Sequence, residues 1–162
     1  MSEKIQSFYR NEDINIITEN LKKIENKAQL EYLKNNEPTL DERNKVYDII
    51  KQYIRDNNLI VYGGWAQNAL IKDKKESDSF YTESETPDIE FYSPKPVKDL
   101  INLTDLLYKK EFKYIQGSEG VHPETYKIFV NFINYADCSY IPENIFKNIP
   151  TIEIDGMRMS HP

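Results

Sequence analysis

The sequence has little of what staples or metallates small secreted domains: one cysteine, Cys138, and two histidines, His122 and His161. A lone cysteine closes no internal disulfide, and so few histidines argue against a thiolate zinc site or a His-based triad. A reducing compartment is expected, with Cys138 a small buried side chain and the histidines in surface or turn positions. Long apolar runs are missing too. None approaches the roughly 20 residues of a membrane span, and the start Met1-Ser2-Glu3-Lys4 lacks the apolar core of a secretory signal. These absences predict a cytoplasmic protein with no membrane partner. Basic residues are outnumbered, 21 against 27 acidic, for a formal charge of −6. That balance argues against a surface built mainly for phosphate backbones. It leaves a nucleotide substrate open, because metal ions held by carboxylates supply the positive charge that phosphates require.

What is present describes one compact domain. The chain has 162 residues, 39% hydrophobic, 12% aromatic and 30% charged, with twelve tyrosines and seven phenylalanines to fill a core. That length suits a single α/β domain.

Ile14, Ile17, Leu21, Ile24 and Ala28 recur at intervals of three and four, which predicts an amphipathic helix over residues 12–34. Its two heptads are short for a coiled coil, so it is expected to pack on the domain core. Thr39 with Glu42 forms a capping box, opening a second helix that Val46, Ile50 and Tyr53 carry to about Asn57. A β-rich run at 59–62 stops at Gly63-Gly64, and helical composition follows from Trp65 to Ile71. Residues 72–86 read as a solvated, mobile loop, residues 88–92 as a strand, and residues 97–110 as a helix with Pro96 at its start. Residues 112–116 and 126–135 read as two strands joined by a turn-rich segment. Residues 152–154 and 157–159 flank Asp155-Gly156 as a hairpin. The domain plan is a helical segment at 1–38, an α/β body at 39–141 and a hairpin at 142–162.

Chemistry concentrates at three points. Asp88 and Glu90 alternate with Ile89 and Phe91, so the two carboxylates share one face of a strand while the apolar pair faces the core. Paired carboxylates at this spacing can hold a hard divalent cation or bridge two, as phosphoryl and nucleotidyl transfer require. The same pattern also occurs on solvated strand faces. Gly63-Gly64, between a strand and a helix, offers bare backbone N–H groups to a phosphate, or makes a tight turn. Asp137 is expected to end an apolar strand, where it either completes a carboxylate triad or caps the following turn. Lys72, Lys74, Lys75, Lys95 and Lys98 either approach phosphates or are merely solvated.

Tyr62-Gly63-Gly64, Pro87-Asp88-Ile89-Glu90-Phe91-Tyr92 and Tyr135-Ala136-Asp137 together resemble the nucleotidyltransferase superfamily with a polymerase β-like palm. Within it they resemble the poly(A) polymerase catalytic subunits of large DNA viruses, of the poxvirus and giant-virus type. The resemblance covers about residues 40–162. It implies an α/β fold of the palm type: a mixed sheet with flanking helices, preceded by two N-terminal helices. It implies transfer of AMP from ATP to the 3′ end of messenger RNA, with two Mg²⁺ or Mn²⁺ ions and no covalent enzyme intermediate. Carried onto this sequence, Asp88 and Glu90 ligate both metals, and Asp137 ligates one and helps deprotonate the primer 3′-hydroxyl. Gly63 and Gly64 contact the triphosphate. Trp65 stands where the superfamily often has a small or hydroxyl residue. The family carries further, mostly C-terminal structure, so this chain is expected to be a fragment or a shortened relative that relies on a partner. ATP and an RNA 3′ end are the implied partners, with a homodimer or a processivity subunit beside them, in the host cytoplasm or the virion. Two other functions fit the same residues: a nucleotidyltransferase with a protein or small-molecule acceptor, and a non-catalytic palm used for binding or dimerisation.

Overall fold

The structure, a computed structural model, describes residues 10–35, 40–81, 85 and 87–161. Helix α1 (Asn11–Asn35) forms where the three-four spacing predicts it, opened by acidic Glu12 and Asp13. Its apolar stripe is exposed. Ile14, Ile17, Leu21 and Ile24 are 45–57% exposed, and none of its described side chains is buried. A helical repeat fixes an apolar stripe but not what covers it.

The second compact unit, Leu40–Pro162, holds the core. Helix α2 (Leu40–Asp56) buries Val46, Tyr47, Ile50, Tyr53 and Ile54, successive turns of one face. The proposed cap Thr39 lies outside the described residues. After Asn58 (φ 51°) reverses the chain, β1 (Ile60–Val61) leads directly into α3 (Gly63–Lys74), which starts two residues earlier than expected. A 3-10 turn at Glu76–Asp78 structures part of the predicted loop.

Strand β2 (Ile89–Ser93) alternates buried and half-buried residues, and α4 (Pro96–Lys109) follows with proline in its first turn. Three strands come next: β3 (Gln116–Glu119), β4 (Thr125–Val130) and β5 (Ile133–Tyr140). This corrects the strand expected over 126–135. Asn131 (φ 49°) and Phe132 (φ 64°) both adopt the left-handed conformation and fold that stretch into a tight hairpin. A bulge between Ile128 and Phe129 shifts the register. Asp137 consequently lies inside β5 rather than at a strand end, and residues 112–115 fall outside the strands.

A short helix α5 (Glu143–Asn148), unread in the sequence, precedes the expected hairpin of β6 (Thr151–Ile154) and β7 (Met157–Ser160). Asp155 (φ 51°) and Gly156 (φ 71°) make its turn. The seven strands form one mixed sheet in the order β3-β4-β5-β2-β1-β7-β6. β2 runs parallel to β5 and β1 parallel to β7, with the other neighbours antiparallel.

Ile89, Phe91, Ala136 and Cys138 are fully buried on the α2/α4 side. Alternation therefore turns Glu90, Tyr92, Asp137 and Ser139 to the other face. Cys138 is the small buried residue expected, its Sγ 3.9 Å from the Pro96 carbonyl. No helix of the described residues is long and apolar enough to cross a membrane.

Candidate active site

The parallel pairing of β2 with β5 places Glu90 beside Asp137 in register. Asp88 precedes β2 by one residue. It is tied to the same cluster through Asn134, whose Nδ2 donates to Asp88 Oδ2 at 2.9 Å and to Asp137 Oδ1 at 2.8 Å. The other Asp137 oxygen, Oδ2, receives Lys127 Nζ at 2.5 Å across the β4–β5 pair. Lys127 and Asp137 are also register partners, so the backbone fixes the ion pair. Three carboxylates and one ammonium thus meet on the sheet face away from α2 and α4.

The glycine pair belongs to the same cluster. Gly64 N–H donates to Glu90 Oε2 at 3.0 Å, at the start of α3. Gly63 has φ +66°, and a Cβ there would lie 1.7 Å from Glu90 Oε2. Tyr62, the residue that precedes the helix, makes no side-chain capping bond. The Tyr81 hydroxyl lies over Gly64, 2.4 Å from where its Cβ would be. Asn68 holds Tyr81 there, its Oδ1 accepting from the backbone N–H groups of Phe80 at 2.9 Å and Tyr81 at 3.2 Å.

Next to Glu90, the Tyr62 and Tyr92 rings stack with centroids 3.9 Å apart. Tyr62 Oη is 2.8 Å from Ser139 Oγ, which is itself 2.8 Å from Thr125 Oγ1. Burial pushes the Tyr62 hydroxyl up to about 12.

The acids repel one another. Burial raises the Asp88 carboxyl above its ordinary value, the Asp137 charge adds to that, and Lys127 partly offsets it. Burial likewise raises Glu90; the Gly64 N–H opposes the shift, and the charges of Asp88 and Asp137 reinforce it. Both shifts come first from burial and second from the neighbouring carboxylates.

The donor chemistry fits a hard divalent cation. The cluster offers carboxylate oxygens, and Asn134 Oδ1 is a buried carbonyl oxygen with no hydrogen-bond partner. As the side chains stand, no three His, Cys, Asp or Glu among the described residues form a ready metal cage. Glu90 is turned to the Gly64 amide, and Asp137 is occupied by Lys127 and Asn134.

Lys127 and Asn134 were missed in the sequence. The signal was available only with the turn at Asn131-Phe132, since folding the chain there brings Lys127 opposite Asp137. The flagged lysines are otherwise engaged or exposed: Lys75 pairs with Asp78 at 2.8 Å, and Lys72 lies 3.9 Å from Glu76. A cleft of about 880 Å³ adjoins α3, lined by Lys51, Trp65, Tyr81 and Met159 among others, with none of the three acids. There Lys51 Nζ sits 5.1 Å from the Trp65 ring centroid.

A mixed sheet with acids on two adjacent strands, beside a strand–glycine–helix turn, is the polymerase β-like nucleotidyltransferase palm. The profile of the family "Poly(A) polymerase catalytic subunit" matches residues 48–162. The chain belongs to that family. It is 42% identical over 161 residues to a protein of Acanthamoeba polyphaga mimivirus named as a poly(A) polymerase catalytic subunit, a match covering 99% of this chain and 28% of that protein. Proteins of the same name from African swine fever virus isolates are 36% identical over 115 residues, 71% of this chain and 24% of theirs. The crystal structure of the Megavirus polyadenylate synthase superposes with a TM-score of 0.90 at 42% identity, covering 100% of this chain and 32% of that one. The chain spans about a quarter to a third of the length of these relatives.

Proposed function

We propose that this chain is the palm of a poly(A) polymerase, where AMP is transferred from ATP to an RNA 3′ end. The observation that carries the proposal is the meeting of Asp88, Glu90 and Asp137 on one sheet face next to Gly63-Gly64. Asp88 and Glu90 would hold two divalent cations and Asp137 one of them. When bound, these ions would supply the charge that activates the 3′-hydroxyl and stabilises the transferring phosphoryl group and the departing pyrophosphate.

The chain's own groups have distinct parts. Asp137 would help take up the proton of the primer hydroxyl. The start of α3 would face the triphosphate with its N–H groups, Gly64 N–H exchanging Glu90 for a phosphate oxygen. Glycine at 63 and 64 lets backbone approach where a side chain would obstruct. Asn134 links Asp88 to Asp137, and Lys127 pairs with Asp137, before substrates arrive. Messenger RNA in the host cytoplasm is the proposed acceptor, alongside a partner subunit or a second copy of the chain.

The test is a chimera in which residues 1–162 replace the matching segment of the mimivirus relative. It is incubated with labelled ATP, an oligo(A) primer and Mg²⁺ or Mn²⁺. Primer extension that is lost in Asp88→Ala and in Asp137→Ala supports the proposal. Extension unchanged by either substitution, or a folded but inactive chimera, overturns it. Labelling without primer would assign a different acceptor.

A further inference from the structure

We propose that Lys127 is the resident counter-ion of the carboxylate cluster, and that a divalent cation enters only as its ammonium leaves Asp137. The inference rests on the metal-dependent reading above and concerns what must move for a metal to bind. Both Asp137 oxygens already accept a hydrogen bond, Oδ2 from Lys127 at 2.5 Å and Oδ1 from Asn134 at 2.8 Å, and each keeps one further lone pair. A cation that ligates this carboxylate would therefore sit directly beside whichever donor stays.

Charge and access decide which donor goes. An ammonium left on Asp137 would place a second positive charge against the metal, whereas the neutral Asn134 amide adds none. The Lys127 side chain is 30% exposed and the Asp137 side chain 13%. The lysine has a route to solvent and a flexible four-carbon stem to follow it, while the carboxylate stays in place on β5. Asn134 is itself suited to remain, since its Nδ2 spans Asp88 and Asp137 and its Oδ1 is buried without a partner.

Lys127 then has two opposing effects. Without metal it offsets the mutual repulsion of Asp88, Glu90 and Asp137 and keeps them converged. Toward metal it is a competitor, so it raises the metal concentration at which the site half-fills.

The test measures Mn²⁺ binding to the 162-residue chain by electron paramagnetic resonance of the free ion. Lys127→Met is expected to bind Mn²⁺ about tenfold more tightly than wild type, Lys127→Arg no more tightly, and Asp88→Asn more weakly. Lys127→Met should also melt lower without metal and gain more from Mn²⁺ than wild type does. Should Lys127→Met not fold, the wild-type ammonium resonance of Lys127 is followed by NMR and assigned through Lys127→Arg. It is expected to be visible in the ion pair and lost at saturating Mg²⁺. Equal or weaker Mn²⁺ binding by Lys127→Met, or an ammonium signal unchanged by Mg²⁺, overturns the inference while weakened binding by Asp88→Asn leaves the metal site standing. Absence of Mn²⁺ binding by wild type overturns the metal-dependent reading and this inference together.

Discussion

Glu90 Oε2 occupies the space that a Cβ on Gly63 would need, 1.7 Å from that atom's position. Gly63 also has φ +66°, where an L side chain costs about 1–2 kcal/mol. Gly63→Ala should therefore lose at least that much stability in urea denaturation and push Glu90 away from its neighbours. In the primer-extension assay the displaced carboxylate should cost on the order of a hundredfold in rate.

Gly64→Ala tests a different contact. Its new Cβ would meet the Tyr81 hydroxyl at 2.4 Å but the ring carbon behind it only at 3.5 Å, an ordinary contact. Removing that hydroxyl should relieve the clash. Tyr81→Phe is predicted to restore most of the stability lost in Gly64→Ala and none of that lost in Gly63→Ala, a non-additivity that a double-mutant cycle reads directly.

These contacts were partly legible in sequence. Asp88 and Glu90 declare themselves because alternation with Ile89 and Phe91 fixes their face, and Gly63-Gly64 stands out as a chain break between strand and helix. The hairpin at Asn131-Phe132 was not legible. Phe132 continues the apolar alternation of its neighbours, and nothing in that pattern shows that it adopts φ 64° with its ring stacked on Tyr114 at 5.2 Å. Losing that turn misplaced Asp137 and hid Lys127 and Asn134, whose relation to the acids exists only through the β4–β5 pairing. Likewise the stripe of Ile14, Ile17, Leu21 and Ile24 gave the helix correctly but not its exposure.

The strained charges of the site should appear as a pH dependence of stability. Asp88 and Glu90 ordinarily titrate near 3.8 and 4.5, and both are raised in the fold. Between the ordinary and raised values the folded state binds more protons than the unfolded state, so these groups make stability fall as pH rises through that window. Above the raised values their penalty is complete. Asp88→Asn keeps an oxygen for Asn134 and removes one charge. It should raise the melting temperature at pH 7 by roughly 2–4 °C, gain little at pH 4, and abolish extension. A melting temperature lowered at pH 7 would contradict the electrostatic account.

Tyr53 is a structural counterpart on helix α2. Its hydroxyl donates to Asp99 Oδ1 at 2.7 Å, and Ser93 Oγ donates to the other oxygen of that buried carboxylate. Tyr53→Phe leaves a charged acceptor short of one partner, a loss of about 1.5–3 kcal/mol. The denaturation midpoint should fall accordingly while Mn²⁺ binding stays at the wild-type value, which separates fold from site.

The most direct measurement is anomalous scattering from crystals of the chain grown with Mn²⁺ and a non-hydrolysable ATP analogue. The account predicts manganese peaks within coordination distance of Asp88, Glu90 and Asp137, with the triphosphate reaching the Gly63-Gly64 turn. An ordered analogue with manganese elsewhere, and all three carboxylates unligated, would contradict it.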